Sequence, residues 1–148
     1  MSPTSEPPCV AEWMTTSAVE HYWPQMQAEL ERVPHIWDTW WTLDALHDSL
    51  LSGHTLAVGV GPKESIRLVV FVQVGFYPAN NILTVFLAFG NGLDECLPLF
   101  EATIDRLAQK LNCGIVEVRG RKGWERKLHG FKNSGVVLTR RVERQRIH

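Results

Sequence analysis

Apolar residues recur at helical spacing in the first third of the chain. Ser17 followed by Glu20 is a capping-box pattern, and Tyr22, Met26 and Leu30 continue it at four-residue spacing. Such spacing places the apolar side chains on one face of a helix. The pattern therefore predicts a first helix that begins at Ser17.

A second helix is predicted between Thr42 and Gly53. Leu43, Leu46 and Leu50 repeat at helical spacing. Glycine often ends a helix because it tolerates a left-handed backbone. Two helices are thus expected ahead of the first long strand.

The chain then changes to runs that are rich in β-branched residues. Three runs, 54–60, 66–76 and 82–89, are separated by the turn-forming segments GPKES and YPANN. Short apolar runs between turn signals are typical of strands. They predict an antiparallel meander of three strands.

A strand, a helix and another strand follow at the spacing of a crossover connection. Asp94 is predicted to cap a third helix that ends at NCG, 112–114, and IVEVR at 115–119 is predicted to be a strand. Because crossovers of this kind join parallel strands, this strand is expected to lie parallel to 82–89. The last predicted elements are a short helix at 123–131 and a strand at 136–142.

Length and composition predict one domain. The chain has 148 residues, of which 45% are hydrophobic and 21% charged, and this balance suits a single compact core. We expect a flexible arm at 1–16, because its prolines and few apolar groups cannot offset the entropy lost on ordering. One domain at 17–142 and a basic tail at 143–148 complete the predicted organisation.

The sequence predicts neither export nor membrane insertion nor metal binding. No apolar stretch approaches the ~20 residues that cross a bilayer, and the first residues lack the basic flank and apolar core of a signal peptide. The six histidines are scattered, and Cys9, Cys96 and Cys113 lack the spacing of metal ligands. We therefore expect a cytoplasmic protein with reduced thiols and no metal.

The net charge of −1 hides a strong asymmetry along the chain. Residues 1–118 hold 5 Lys and Arg against 14 Asp and Glu, whereas residues 119–148 hold 10 against 2. A basic block of this kind serves as a surface for nucleic acid or for an acidic partner, or it is a solvated face that pairs with the acidic part of the same chain. Composition leaves these alternatives open.

The predicted order of elements resembles that of the GCN5-related N-acetyltransferase (GNAT) superfamily over about 17–142. The segment LHGF at 128–131 resembles the Gly-Phe that ends the fourth helix in that family. The longer segment IDRLAQKLNCGIVEVRGRKGWERKLHGF is similar to GNAT-like proteins of tailed bacteriophages. The resemblance implies an α/β fold with a mixed, largely antiparallel sheet covered by helices, and a location in the host cytoplasm or the virion.

The resemblance also implies where acetyl-CoA would bind. In GNAT enzymes an Arg or Gln followed by Gly-x-Gly/Ala presents backbone N–H groups to the pyrophosphate at a helix N-terminus. Here the matching residues are Gly90, Asn91 and Gly92, without the Arg or Gln, and Asp94 and Glu95 follow them. We expect a tight turn with an acidic helix start and no bound cofactor, and we keep acetyl-CoA as the alternative.

The catalytic groups of the family are poorly matched. Arg126 stands where many members carry the tyrosine that protonates the departing thiolate, and an arginine does not donate a proton usefully at neutral pH. The resemblance makes Glu117 a candidate general base, but Glu117 and Arg119 lie two residues apart on a predicted strand and equally suit a structural ion pair.

Two clusters are candidate interaction surfaces. Three of the six tryptophans, Trp37, Trp40 and Trp41, lie in HIWDTWW between the first two helices. Such a cluster either caps the core or anchors a partner. The second cluster is Arg140, Arg141, Arg144 and Arg146 near the C-terminus.

These features favour a non-catalytic binding or structural module that contacts other protein subunits, such as phage structural proteins during virion assembly. Two alternatives remain. One is an acetyl-CoA-dependent N-acetyltransferase with an atypical pyrophosphate loop, and the other is a small nucleic-acid-associated protein that uses the basic block.

Overall fold

The computed structural model describes residues 9–32, 41–62, 67–90 and 93–119, with Leu128, 130–132, Gly135, Arg140 and Val142. Its elements are the strands β1 (Cys9–Trp13), β2 (Leu56–Pro62), β3 (Leu68–Phe76), β4 (Asn81–Gly90) and β5 (Ile115–Val118) and the helices α1 (Thr16–Leu30), α2 (Leu43–Ser52) and α3 (Leu93–Lys110). The helix predicted at 123–131 and the strand predicted at 136–142 lie mostly outside the described residues.

Threonine side chains cap the first two helices. Thr15 Oγ1 accepts a hydrogen bond from the backbone N–H of Ala18 at 3.2 Å, so α1 begins ahead of Ser17 and the predicted cap at Ser17 is wrong. Thr42 Oγ1 accepts from Ala45 N at 3.1 Å. These bonds satisfy N–H groups that have no partner within the helix.

The other two predicted helix ends have different outcomes. Gly53 ends α2 with a left-handed backbone, φ 85°, which confirms the prediction there. Because α3 begins at Leu93, Asp94 lies inside its first turn and is not its cap.

The five described strands form one sheet in the order β1-β2-β3-β4-β5. The first four are antiparallel to their neighbours, and β5 runs parallel to β4. The predicted meander and the predicted parallel strand are both confirmed.

The flexible arm predicted at 1–16 is wrong for residues 9–13. They form the edge strand β1, which pairs with β2 from Cys9 opposite Pro62 to Trp13 opposite Val58. Backbone pairing orders this segment although it carries few large apolar side chains, since each ladder bond satisfies a polar group of both strands. Residues 1–8 lie outside the described part of the chain.

The sheet separates two hydrophobic cores. On one face, α3 buries Phe100, Ile104 and Leu107 against strand residues that include Val70 and Val85. On the other face, α1 and α2 pack on a second set, which consists of Val19, Met26, Leu30, Leu46, Leu50, Ala57, Val69, Phe71, Leu87 and Phe89. We call these the α3 core and the α1–α2 core.

A β-bulge in β4 decides which core each of its side chains enters. Val72 of β3 lies opposite Val85, but Phe71 lies opposite Leu87, so Phe86 is one residue more than β3 can match. Val85 packs in the α3 core and Leu87 in the α1–α2 core. Strict alternation would put both on one face, so the extra residue reverses the face of the second half of β4.

The cysteines differ from the expectation of three reduced thiols. Cys96 is buried in α3 and disulfide-bonded, whereas Cys113 is a free thiol. Burial raises the pKa of the Cys113 thiol above its ordinary value, because a low-dielectric surrounding disfavours the thiolate. Cys9, the remaining cysteine, lies in β1, a strand that α3 packs against.

Among the described residues, no helix combines the length and the hydrophobicity needed to span a bilayer. The cytoplasmic location stays a prediction.

Candidate ligand-binding site

Strands β4 and β5 pair over only half of the length of β4. Their register runs from Ile82 opposite Ile115 to Val85 opposite Val118, and the last contact is the bond from Arg119 N to Val85 O at 2.8 Å. Beyond it, 87–90 pairs with β3 on one side. On the other side no strand among the described residues pairs with 86–90. Among the described residues, the pairing of the two parallel strands therefore ends at the bulge, and the side of 86–90 that faces away from β3 has no described strand partner for its backbone groups.

Gly90 ends β4 in a conformation that only glycine adopts readily. Its φ is 116°, and a Cβ atom built on it would overlap the carbonyl oxygen of Arg67, the residue before β3. The glycine is thus required by the close approach of two backbones within the sheet. The need for glycine at this position is therefore explained without a bound ligand, in agreement with the structural role that the sequence predicted.

Glu117 is held by two hydrogen bonds that converge on one carboxylate oxygen. Arg119 Nε donates to Oε1 at 3.1 Å, and Thr84 Oγ1 donates to the same atom at 3.2 Å. Thr84 lies directly opposite Glu117 in the β4–β5 register. The side chains of Arg119 and Glu117 are 56% and 44% exposed, so the pair contributes at most about 1 kcal/mol to stability. The geometry fits the ion-pair interpretation, and the role of general base stays a prediction.

An aromatic row covers the second half of β4 on the α1–α2 side. The half-buried ring of Trp41 stacks on Phe86, the bulge residue, with 5.2 Å between centroids and 14° between planes. Phe86 lies 6.4 Å from Phe71, and Phe71 lies 5.7 Å from Phe89. Trp41 therefore caps the α1–α2 core, and its use as an interaction anchor stays a prediction.

A small cavity lies between α3 and β5. Its volume is about 70 Å³, and its lining consists of Phe100, Glu101, Ile104, Asp105, Val118 and Phe131. Two of these residues carry carboxylates, one helical turn apart on α3. Leu128, three residues ahead of Phe131, is buried in the α3 core, so two residues of the LHGF motif reach that core.

Several predicted site residues lie outside the described part of the chain. Of the tail arginines only Arg140 is described, and it is exposed. The others outside the described residues are Trp37, Trp40, Asn91, Gly92, Arg126, Arg141, Arg144 and Arg146. Nothing in the described residues tests their predicted roles.

Two residues of the candidate site, Thr84 and Phe86, were not identified from the sequence. Thr84 was identifiable in principle, because aligning the predicted parallel strands places it near Glu117. Phe86 gave no such signal, since a bulge is set by pairing with another strand and leaves no mark in a continuous apolar run. Among the described residues no group of three or more His, Cys, Asp or Glu is placed to hold a metal ion.

The structure is similar over most of its length to solved structures of acetyltransferases. It matches the aminoglycoside N-acetyltransferase AAC(6')-Iy in complex with CoA with a TM-score of 0.67 and 12% identity, over 96% of this chain and 99% of that one. An aminoglycoside acetyltransferase from an uncultured soil metagenomic sample, in complex with sisomicin, matches with a TM-score of 0.66 and 12% identity, over 92% and 97%. A transcriptional regulator from Bacillus halodurans C-125 matches with a TM-score of 0.65 and 12% identity, over 91% and 100%.

These similarities define the class of structure. The chain has the GNAT fold, with a mixed, largely antiparallel sheet covered by helices, and the predicted fold class is confirmed. No protein-family model matches the sequence, and no curated protein sequence matches it. The likeness to tailed-phage proteins stays a prediction.

Replacing Gly90 by alanine should destabilise the protein far more than the same change at Gly53. Gly53 also has a positive φ, 85°, but a Cβ there would meet nothing within 4 Å. Gly53→Ala should cost about 1 kcal/mol for the left-handed backbone alone, whereas Gly90→Ala must also separate two strands and should cost about 3 kcal/mol or more. Urea unfolding measures both, and equal losses would show that the contact with Arg67 relaxes freely.

Replacing Trp41 by alanine should lower the free energy of unfolding by about 2–3 kcal/mol, because a half-buried ring and its stack on Phe86 are lost. Trp13→Ala is the matched control. Trp13 is 41% exposed and contacts Lys110 at 4.6 Å from its ring centroid, so its loss should cost under about 1 kcal/mol. If Trp41→Ala left stability unchanged, its ring would be available to a partner, as the interface hypothesis requires.

Proposed function

We propose that this chain is a non-catalytic binding or structural module built on the GNAT fold, with a degenerate acetyl-CoA site. The observation that carries the proposal is the acidity of α3. This helix holds Asp94 and Glu95 in its first turn and places Glu101 and Asp105 at the cavity beside β5.

The acidity of α3 opposes the binding of coenzyme A at the helix start. A helix N-terminus attracts anions through its free N–H groups and its dipole. Two carboxylates in the first turn offset that attraction, and each would repel a pyrophosphate a few Å away by about 1 kcal/mol or more at intermediate effective dielectric. Pro98 has no N–H to offer.

The hydrogen bonds of Glu117 support the proposal that the protein is not a catalyst. To act as a base, this carboxylate would accept a proton and so give up its charge-assisted bond with Arg119. Trp41 stacks on Phe86 against the α1–α2 core. Trp41 lies at the end of the segment between the first two helices, which GNAT enzymes often use to shape the acceptor site.

The proposed partners are other protein subunits, and the proposed setting is a phage particle or its assembly. Support for the partner comes from the basic block at 119–148 and the exposed Arg140. Support for the setting comes from the resemblance of 104–131 to tailed-phage proteins. The acidic first 118 residues would repel a polyanion, so a protein partner is favoured over nucleic acid.

The second candidate is an acetyl-CoA-dependent N-acetyltransferase. It is favoured by the end of the described β4–β5 pairing at Val85, because no described strand pairs with that side of β4 beyond this residue. The similar fold of an acetyltransferase in complex with CoA also supports it.

Millimolar acetyl-CoA should leave the melting temperature of the purified protein unchanged. A ligand at 100 times its dissociation constant adds ~2.7 kcal/mol of stability, or several degrees in a domain of this size. Differential scanning fluorimetry with acetyl-CoA and with free CoA measures the shift. A clear rise that Gly92→Glu abolishes would instead establish the acetyltransferase candidate.

Deleting 140–148 should impair assembly with a protein partner. DNA binding should be negligible both in the full-length protein and in the deletion variant. Sedimentation velocity measures assembly, and fluorescence anisotropy with duplex DNA at two salt concentrations measures DNA binding. A variant with Arg140, Arg144 and Arg146 changed to glutamine separates charge from length. Loss of a log-linear, salt-dependent affinity for DNA would support nucleic-acid association, and loss of neither property would make the tail a solvated end.

A further inference from the structure

A second cavity lies at the opposite end of the sheet from Gly90. It has a volume of about 240 Å³ and sits where the α2–β2 turn, the middle and end of β3 and the residue after α3 meet. Its apolar walls are Leu56, Val72, Val74, Phe76 and Leu111, and its two polar side chains are His54 and Gln73. Phe76 lies opposite Asn81 at one end of the β3–β4 pair, and Leu68 lies opposite Gly90 at the other end. The cavity is therefore separated along the sheet from the region around Gly90.

The hydrogen bonds of Ser52 fix the tautomer of His54. Ser52 Oγ lies 3.1 Å from the carbonyl oxygen of Ser49 and 2.7 Å from His54 Nδ1. A carbonyl only accepts, so the single hydroxyl proton of Ser52 goes to Ser49. The hydroxyl must then accept from His54, which places the ring proton on Nδ1. In the neutral ring, Nε2 is consequently a hydrogen-bond acceptor, and it has no hydrogen bond to any described residue.

Gln73 is oriented in a similar way. Its Nε2 donates to Thr55 Oγ1 at 3.0 Å, and Thr55 Oγ1 lies 2.6 Å from Ser49 Oγ. Thr55 is only 1% exposed, so this polar pair is anchored in the protein interior. One of the two N–H groups of the Gln73 amide is thereby engaged, and its second N–H and its carbonyl oxygen have no hydrogen bond to any described residue.

We propose that this cavity is a binding site for a small aromatic molecule that carries a hydroxyl or N–H donor. Pockets of this kind combine apolar walls with a few placed polar groups. The volume of about 240 Å³ exceeds the ~150 Å³ that holds one benzene ring in a protein interior. The site is a groove that is open on the side of Phe76, which is 78% exposed, so a substituted ring can enter it. His54 presents the acceptor Nε2, and the Gln73 amide can accept through its carbonyl oxygen. A ligand that supplies a donor is therefore matched by both side chains.

The test compares phenol with toluene, which has nearly the same shape but no donor. Chemical shifts of the backbone amides and of the Leu56, Val72 and Leu111 methyl groups follow each titration by NMR. Phenol should bind about five- to tenfold more tightly than toluene, as one net hydrogen bond predicts. In His54→Ala that preference should fall to about twofold or less, while toluene affinity stays unchanged.

Two further variants complete the experiment. Val74→Phe fills the cavity and should abolish saturable binding of both probes, with its melting temperature showing that it folds. Ser52→Ala, which changes no cavity wall, should reduce the phenol preference because the ring can then take either tautomer.

Three results would overturn the proposal: no saturable shifts up to the solubility of phenol, equal affinities of the two probes for the unaltered protein, or undiminished binding to folded Val74→Phe. Because Gly90 and α3 acidity play no part in these readouts, the outcome is independent of whether the chain binds acetyl-CoA.

Discussion

The bulge at Phe86 is the constraint on which the arrangement of this domain depends. One residue without a partner in β3 turns Leu87 and Phe89 toward α1 and α2, while Leu83 and Val85 face α3. Both cores thus take two side chains from one strand. The bulge also marks the point where pairing with β5 stops. A deletion of one residue there would exchange the faces of half a strand, as a register slip does.

The residues around the bulge stabilise the fold in the absence of a ligand. Gly90 is needed where β4 meets the backbone of β3, Glu117 is bonded across to Thr84, and Phe86 stacks under Trp41. Gly90 and Glu117, the described residues that the family resemblance assigns to ligand or catalysis, thus each have a local structural role. Such contacts contribute to stability whether or not a cofactor binds, and a module can therefore keep the shape of the fold without its chemistry.

The sequence predicted the elements whose signal is local. Leu43, Leu46 and Leu50 with Thr42 and Gly53 define α2 by periodicity and caps, and the β-branched runs define three strands. It failed where the determinant lies elsewhere in the chain. CVAEW becomes β1 because it pairs with the edge of β2, Thr15 rather than Ser17 caps α1, and the disulfide of Cys96 has no signal in the spacing of the cysteines. The sequence identified candidate residues of the site, such as Glu117 and Arg119. The hydrogen bond between Glu117 and Thr84 could not be predicted, because it depends on the register between β4 and β5.

At this level of sequence identity, a similar fold does not imply a similar function. Acetyltransferases and a transcriptional regulator share the architecture with only about one residue in eight in common with this chain. What such chains share is the placement of apolar faces, because burial depends on pattern and volume more than on particular residues. Chemistry depends instead on individual polar groups. In this chain the polar groups that differ from the family pattern, Asp94 and Glu95 at the start of α3 and the paired Glu117 and Arg119 on β5, lie where an acyl-CoA enzyme places its anion site and its base. The proposal of a protein that binds without transferring an acyl group is therefore argued from these residues and not from the fold.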